Sequence, residues 1–346
     1  FYASVEIREN PKLASKPIAV GGEPSRRGVI ATCNYLARKY KVHSAMASSH
    51  ALRLCPDLLI VPPNFKLYKQ VSVQIREIMM RYTDIIEPLS LDEAYLDVSD
   101  THHFDGSATR IAEAIREAVK AELSICVSAG VAPNKFLAKI ASDWKKPDGL
   151  FVIPPSEVES FVINLPVNKI NGVGKVTTRK LHELGIHTCG DLQNFDLATL
   201  SDRFGKYGVR LHELAQGIDH RAVQVSRERK SLSLEHTYSK DLHSQQDIES
   251  KLPQLYQELC ERAERLGVDV KFHKRFVKVK FNDFTQTTLE ESFNAATEPW
   301  KKPEEFTRML LQAWRRSEKP VRLLGLGLKL LMPSQSGNLR QLELFD

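Results

Sequence analysis

The 346-residue sequence has little cysteine and no pair of cysteines close together: Cys33, Cys55, Cys126, Cys189 and Cys260 form no Cys-x-x-Cys. The odd total and wide spacing argue against a disulfide framework and a zinc knuckle, and fit a reducing, cytoplasmic setting. Long apolar runs are also missing. The most apolar stretch, Val321 to Met332, is too short to span a bilayer and carries Arg322 and Lys329, so no membrane partner is expected. No charged-then-apolar leader opens the sequence and no low-complexity tract interrupts it, which sets aside membrane targeting, disorder and fibrous architectures. What remains is an ordinary soluble composition, 42% hydrophobic, 27% charged and 8% aromatic. The 49 Lys and Arg exceed the 43 Asp and Glu by a net charge of +6, which permits a polyanion partner without demanding one. The placement of those charges has to decide.

At roughly 150 residues per domain the length predicts two domains, or more small ones. Phe1 to Glu9 reads as a short helix stopped by Asn10-Pro11, Pro17 to Val20 as a strand, and Gly28 to Ala31 as a second strand running through Thr32-Cys33-Asn34 into a helix ending at Tyr40. Tyr68 to Tyr82 and Ala108 to Leu123 are helical, Ile85 to Val98 alternates as extended chain, and Ile125 to Val131 is a β-branched strand, together an α+β sheet domain closing near Pro154. Ser156 to about Gly217 is a small all-α unit, and Gln224 to Lys230 has the polar composition of a linker. Strand and helix patterns then alternate over 231–331 as a second α+β unit. Because Phe1 stands in the middle of an element, a native N-terminal segment is expected ahead of it.

The densest acidic signal is Ile85 to Val98, where two extended runs flank Ser90-Leu91-Asp92-Glu93 and put Asp92 and Glu93 at a hairpin tip. Neighbouring carboxylates in a strand face opposite sides, so both reach one ion only if the turn rotates one of them. Hard Mg²⁺ takes carboxylate and phosphate oxygens, and two such ions serve nucleotidyl transfer; a solvated turn is the plainer reading of the pair alone. The helix Asn134 to Lys146 is expected to bury Phe136, Leu137, Ile140 and Trp144, with Lys135, Lys139 and Lys146 on a wet stripe. Tyr35 and Arg38, at i and i+3 behind a helix start, could hold a triphosphate or be surface packing. Ile170-Asn171-Gly172-Val173-Gly174-Lys175 between short helices reads as a helix-hairpin-helix whose Gly172, Gly174 and Lys175 meet a DNA phosphate, or as a plain glycine connection. Lys278 and Lys280 share a strand face with Phe276, a basic surface for tracking phosphates or the lysine guard of an edge strand.

Three segments taken together, Thr32-Cys33-Asn34-Tyr35-Leu36-Ala37-Arg38-Lys39, Ser90-Leu91-Asp92-Glu93-Ala94-Tyr95-Leu96-Asp97 and Ala129 to Lys139, closely resemble the Y-family translesion DNA polymerases, and the resemblance covers essentially the whole chain. It implies an α+β right-hand polymerase with fingers over 1–64, palm over 65–154, thumb with helix-hairpin-helix over 155–219, a linker over 220–230, a little finger over 231–333 and a tether with clamp-binding peptide over 334–346. It implies error-prone, template-directed synthesis without proofreading, by a monomer acting on primer-template DNA and dNTPs. By resemblance Asp92 and Glu93 bind two Mg²⁺ ions; Thr32, Tyr35, Arg38 and Lys146 contact the triphosphate; Tyr2, beside Phe1, is the steric gate against a ribose 2′-OH; and Val29 and Ala31 roof the base. Gln341, Leu342, Leu344 and Phe345 resemble the peptide that docks on the sliding clamp, the β subunit. The family also places a metal-binding aspartate on a strand just before the Phe1-Tyr2 position. That aspartate separates the enzyme from the rival reading, a non-catalytic DNA and clamp adaptor. A helix-hairpin-helix lyase or glycosylase would need a catalytic Lys or Asp after the hairpin, where His182 and Glu183 stand.

Overall fold

A computed structural model describes residues 1–226, 228–267, 270–293 and 301–331. In chain order the elements are α1 (Tyr2–Glu9), β1 (Ile18–Gly21), β2 (Ile30–Cys33), α2 (Tyr35–Lys39), α3 (Ser48–Leu54), β3 (Leu59–Val61), α4 (Phe65–Met80), β4 (Ile86–Pro88), β5 (Ala94–Leu96), α5 (Ala108–Leu123), β6 (Ala129–Val131), α6 (Lys135–Trp144) and β7 (Leu150–Val152). They continue with α7 (Val158–Ile163), α8 (Lys175–Glu183), α9 (Cys189–Gln193), α10 (Leu197–Phe204), α11 (Lys206–Ala215), β8 (Ser231–Leu242), α12 (Gln245–Glu264), β9 (Phe272–Phe281), β10 (Gln286–Ser292), α13 (Pro303–Trp314) and β11 (Val321–Leu330). The described residues form two compact units, one of Phe1–Ile18 with Pro63–Ser226, the other of Ala19–Pro62 with the described residues that follow Ser226.

In the first unit α4 buries Tyr68, Val71, Ile75 and Ile78 at helical spacing and α5 buries Ile111, Ile115 and Val119, so each presents one apolar stripe. The strand expected from Ile125 is ordered as ladder only over β6, because its parallel partner β7 supplies just three residues, Ala129 pairing with Leu150 and Val131 with Val152. Gly130 sits in that strand because a Cβ there would lie 2.3 Å from the backbone of α6 at Ala138 and Ser142; only glycine lets helix and strand approach so closely. α6 buries Phe136, Leu137 and Ile140 as expected, and Ala141 besides. Trp144, expected in the core, is instead 47% exposed at the helix end, its ring 5.0 Å from Phe161 and 5.8 Å from Phe151. The stripe of three lysines also divides: Lys135 is buried, and Lys146 lies beyond the last helical residue. The short helices α7 to α11 close a core of Val162, Leu181, Leu192, Leu200 and Leu211.

The second unit has a three-stranded sheet in the order β2-β1-β3 and a four-stranded antiparallel sheet in the order β10-β9-β11-β8. β2 begins two residues later than the sequence suggested, since Val29 makes only an isolated bridge to Ala47. In β9 the residues Phe272, Arg275, Val277, Val279 and Phe281 are buried while Phe276, Lys278 and Lys280 are half-buried on the other face. α12 and α13 cover the buried face through Leu252, Leu255, Leu259, Phe306 and Leu310. β9 is interior, flanked by β10 and β11, so its lysines do not guard an edge.

Candidate active site

The hairpin is built by pairing Ile86 with Leu96, Glu87 with Tyr95 and Pro88 with Ala94. Its turn closes where Leu89 N–H donates to Glu93 O at 2.9 Å. Inside it the Ser90 hydroxyl donates to Asp92 Oδ1 at 2.8 Å and accepts from Asp92 N–H at 3.3 Å, so Asp92 is held by its own turn. Asp92 and Glu93 stand exposed at the tip, as the sequence suggested. No cluster of three or more Asp, Glu, His or Cys side chains suited to a metal forms among the described residues. Two hard oxygen donors still fit Mg²⁺, which normally keeps water and takes one or two carboxylates together with substrate phosphate.

Helix α6 clips this hairpin with two lysines, a feature the sequence reading assigned to solvent. Lys135 donates to the Glu87 carboxylate and to Ala222 O at 3.1 Å, with its ammonium 5.1 Å from the Tyr95 ring centroid. Gln224 N–H donates to Glu87 Oε2 at 2.8 Å. Burial pushes the Glu87 carboxyl up, but the Lys135 ammonium and that N–H outweigh it and leave it below its ordinary value. One helical turn on, Lys139 donates to Glu93. The chain leaving α11 is fastened next to this: buried Asp219 accepts from Arg221 through two bonds of 2.8 and 2.7 Å and from Phe136 N–H at 3.1 Å, while Asn134 Nδ2 donates to Gly217 O at 2.7 Å. Only the spacing of Lys135 and Lys139, matched to Glu87 and Glu93 six residues apart, hinted at this in the sequence.

Tyr2 lies in an aromatic cluster of the same unit. Its ring stacks on Tyr68 at 4.4 Å and 9° and meets Phe65 edge-on at 5.8 Å, and Phe1 stands 5.7 Å away. Tyr68 is fully buried and donates its hydroxyl to Glu6. Burial, and then the negative charge of Asp92, push the Tyr2 phenol up. Lys146 is ion-paired with Asp143.

In the second unit Thr32 pairs with Val20 across β1 and β2, Asn34 caps α2 by accepting from Ala37 N–H at 3.0 Å, and Tyr35 is 52% exposed with the Arg38 guanidinium 5.8 Å from its ring. Val29 and Ala31 are exposed small residues beside them in sequence. Lys278 does not stand free: it bridges to Glu235 at 3.0 Å, across Gly325 of β11, which pairs with both residues. Lys280 has its ammonium 5.2 Å from the Phe284 ring.

In the hairpin between helices, Gly172 has φ +98°, a left-handed conformation natural to glycine, and Gly174 caps α8, whose first residue is Lys175. Buried Val173 pins the turn from below. Gly174, Lys175, Thr178, Arg179 and His182 line a surface concavity of about 780 Å³. Gln341, Leu342, Leu344 and Phe345 lie outside the described residues.

Known proteins match along the whole chain. Residues 1–143 fit the impB/mucB/samB family, 229–344 the impB/mucB/samB family C-terminal domain, and 168–219 the thumb domain of DNA polymerase-iota. The chain is 56% identical over 345 residues to DNA polymerase IV of Ectopseudomonas mendocina (strain ymp), covering all of this chain and 96% of that one. It is 58% identical over 330 residues to DNA polymerase IV of Pseudomonas syringae pv. tomato, covering 95% and 92%. Among solved structures, a Y-family DNA polymerase chimera of Dbh and Dpo4 superposes with a TM-score of 0.87 at 30% identity over 95% of this chain and 96% of that one, and an insertion ternary complex of Dbh DNA polymerase with 0.64 at 29% over 96% of each. The chain therefore belongs to the Y-family DNA polymerases and has their fold, a DNA-directed DNA polymerase of translesion type.

Proposed function

We propose that this polymerase extends primer-template DNA by nucleotidyl transfer from dNTPs at a site centred on the β4–β5 hairpin, inserting opposite damaged bases without proofreading. The observation that supports it best is the exposed Asp92-Glu93 tip, held by its own turn and by α6, with the Tyr2 ring in electrostatic reach of Asp92. Asp92 and Glu93 hold Mg²⁺, two ions in the full reaction, which supply charge stabilisation at the transferring phosphate. Tyr2 lies against the sugar and rejects a 2′-hydroxyl by bulk, with Phe1 beside it. Thr32, Tyr35, Arg38 and Lys146 bind the triphosphate, and the small side chains of Val29 and Ala31 leave room over the base, which admits damaged templates at the cost of selectivity.

The domain division follows the resemblance: fingers 1–64, palm 65–154, thumb 155–219, linker 220–230, little finger 231–333 and tether with clamp peptide 334–346. Gly172, Gly174 and Lys175 hold a DNA phosphate through backbone N–H groups and one charge, and Lys278 and Lys280 follow the duplex backbone. Gln341, Leu342, Leu344 and Phe345 insert into a groove of the sliding clamp. The enzyme works as a cytoplasmic monomer; no helix among the described residues is long and apolar enough to cross a membrane. Primer extension across a template lesion with Mg²⁺ and dNTPs tests the reading. Bypass that survives Asp92→Ala would place the chemistry elsewhere.

A further inference from the structure

The two ion pairs between α6 and the hairpin are unequal. Lys135 and Glu87 form a finished structural pair: their side chains are 7% and 20% exposed, and each has a further backbone partner, Ala222 O for the ammonium and Gln224 N–H for the carboxylate. Lys139 and Glu93 are 21% and 41% exposed, and among the described residues each side chain has only the other as a hydrogen-bonding partner. The first pair fixes the base of the hairpin to the helix. The second adds little to that attachment, because α6 is already seated by Phe136, Leu137 and Ile140. What it does determine is the charge facing one carboxylate at the tip.

We propose that Lys139 is a positioning residue for that carboxylate: its ammonium holds Glu93 at the hairpin tip and competes with the divalent cation for the same oxygens, so that cation binding displaces the ammonium. This rests on the reading of Glu93 as a metal ligand. The chemistry suits the task. An ammonium is a compact, strongly hydrated charge on a flexible stem, so it can leave a half-exposed carboxylate readily, whereas a guanidinium fork would hold both oxygens at once. A carboxylate kept paired by a weak monovalent partner stays near its working position and is surrendered to a stronger one. The surrounding partners make the direction of the effect clear: among the described residues Glu93 has no second ion-pair partner, and Asp92 is tied to Ser90 rather than to a lysine.

The test is Mn²⁺ binding, followed by the loss of the free-ion electron paramagnetic resonance signal, in the full-length polymerase with a non-hydrolysable dNTP analogue. The variants are Lys139→Met, Lys139→Arg and Glu93→Gln. Removing the competing charge in Lys139→Met is expected to tighten Mn²⁺ binding by about two- to five-fold, the equilibrium weight of a half-exposed ion pair. Lys139→Arg keeps the charge and should bind no more tightly than the parent, and Glu93→Gln should weaken binding. If Glu93→Gln weakens binding while Lys139→Met leaves it unchanged or weaker, competition by Lys139 is overturned and the metal role of Glu93 stands. Equal tightening by Met and Arg also overturns it, since the effect would not follow charge. If Glu93→Gln leaves Mn²⁺ binding unchanged, the metal reading itself falls.

Discussion

The Tyr2 ring lies flat on Tyr68, 4.4 Å between centroids and 9° from parallel, and Tyr68 is itself fully buried with its hydroxyl tied to Glu6. Tyr2 thus has a rigid backing on one face, which is what a gate that works by bulk requires. Tyr2→Ala is expected to admit ribonucleotides, lowering the preference for dNTPs over rNTPs by at least tenfold in single-nucleotide incorporation. Tyr68→Leu keeps an apolar side chain but removes the stack, and should relax the preference in the same direction by less. Unchanged sugar discrimination in Tyr2→Ala would assign the ring to core packing.

Asp92→Ala and Glu93→Ala should each reduce nucleotide addition by two or more orders of magnitude while leaving the affinity for primer-template DNA within about twofold, because the proposed phosphate contacts, Gly172, Gly174, Lys175, Lys278 and Lys280, stand on other elements. Paired measurements of single-turnover incorporation and of DNA binding by fluorescence anisotropy separate the two. A parallel loss of DNA affinity would mean that the hairpin is a structural feature of the DNA surface.

DNA affinity should fall steeply with salt, and Lys175→Ala should reduce the slope of log K against log salt by about one unit. Lys278→Ala should reduce it by less, because Glu235 neutralises Lys278 at 3.0 Å and a phosphate has to compete for it. In Glu235→Gln that competitor is gone, and the slope should increase. Equal effects of Lys175→Ala and Lys278→Ala would show that the Glu235 bridge opens without cost on binding.

Asp219 ties the chain leaving α11 to the start of α6, accepting from Phe136 N–H and from Arg221. Burial pushes its carboxyl up, yet the fork of Arg221 more than offsets this and leaves it below the ordinary value. A folded-state value below the unfolded one, about 3.9, gives stability that is present above pH 4 and lost as pH falls through the folded value. Asp219→Asn should therefore destabilise the fold near neutral pH by about 1–2 kcal/mol in urea unfolding, since the Arg221 left behind is half-exposed, with a difference from the parent that shrinks below about pH 4. A constant difference down to pH 2 would remove the ion pair as its cause.

Deleting 341–346 should abolish stimulation by the sliding clamp while sparing the basal extension rate, since a tether raises effective concentration at the primer end without touching the hairpin. Equal stimulation of the deleted and intact chains would rule the peptide out as the clamp contact.

Sequence alone determined the local and the motif-borne features. The helix over Ala108–Leu123 follows from the sequence pattern, and the hairpin tip at Asp92-Glu93 from two extended runs around a polar turn, because these depend on neighbours along the chain. Tertiary structure decided the partners. Lys135 reads as solvent-facing on its helix and becomes buried only because Glu87, Tyr95 and Ala222 arrive from distant segments; Trp144 reads as core and is left at a helix end; the lysines of β9 read either as a phosphate-tracking surface or as an edge guard, and the edge is excluded only because β10 and β11 enclose the strand. A charge on one element carries no local sign of the opposite charge that neutralises it. That is why the anchoring of the hairpin, and the weak Lys139 partner at Glu93, emerge only when the chain is folded.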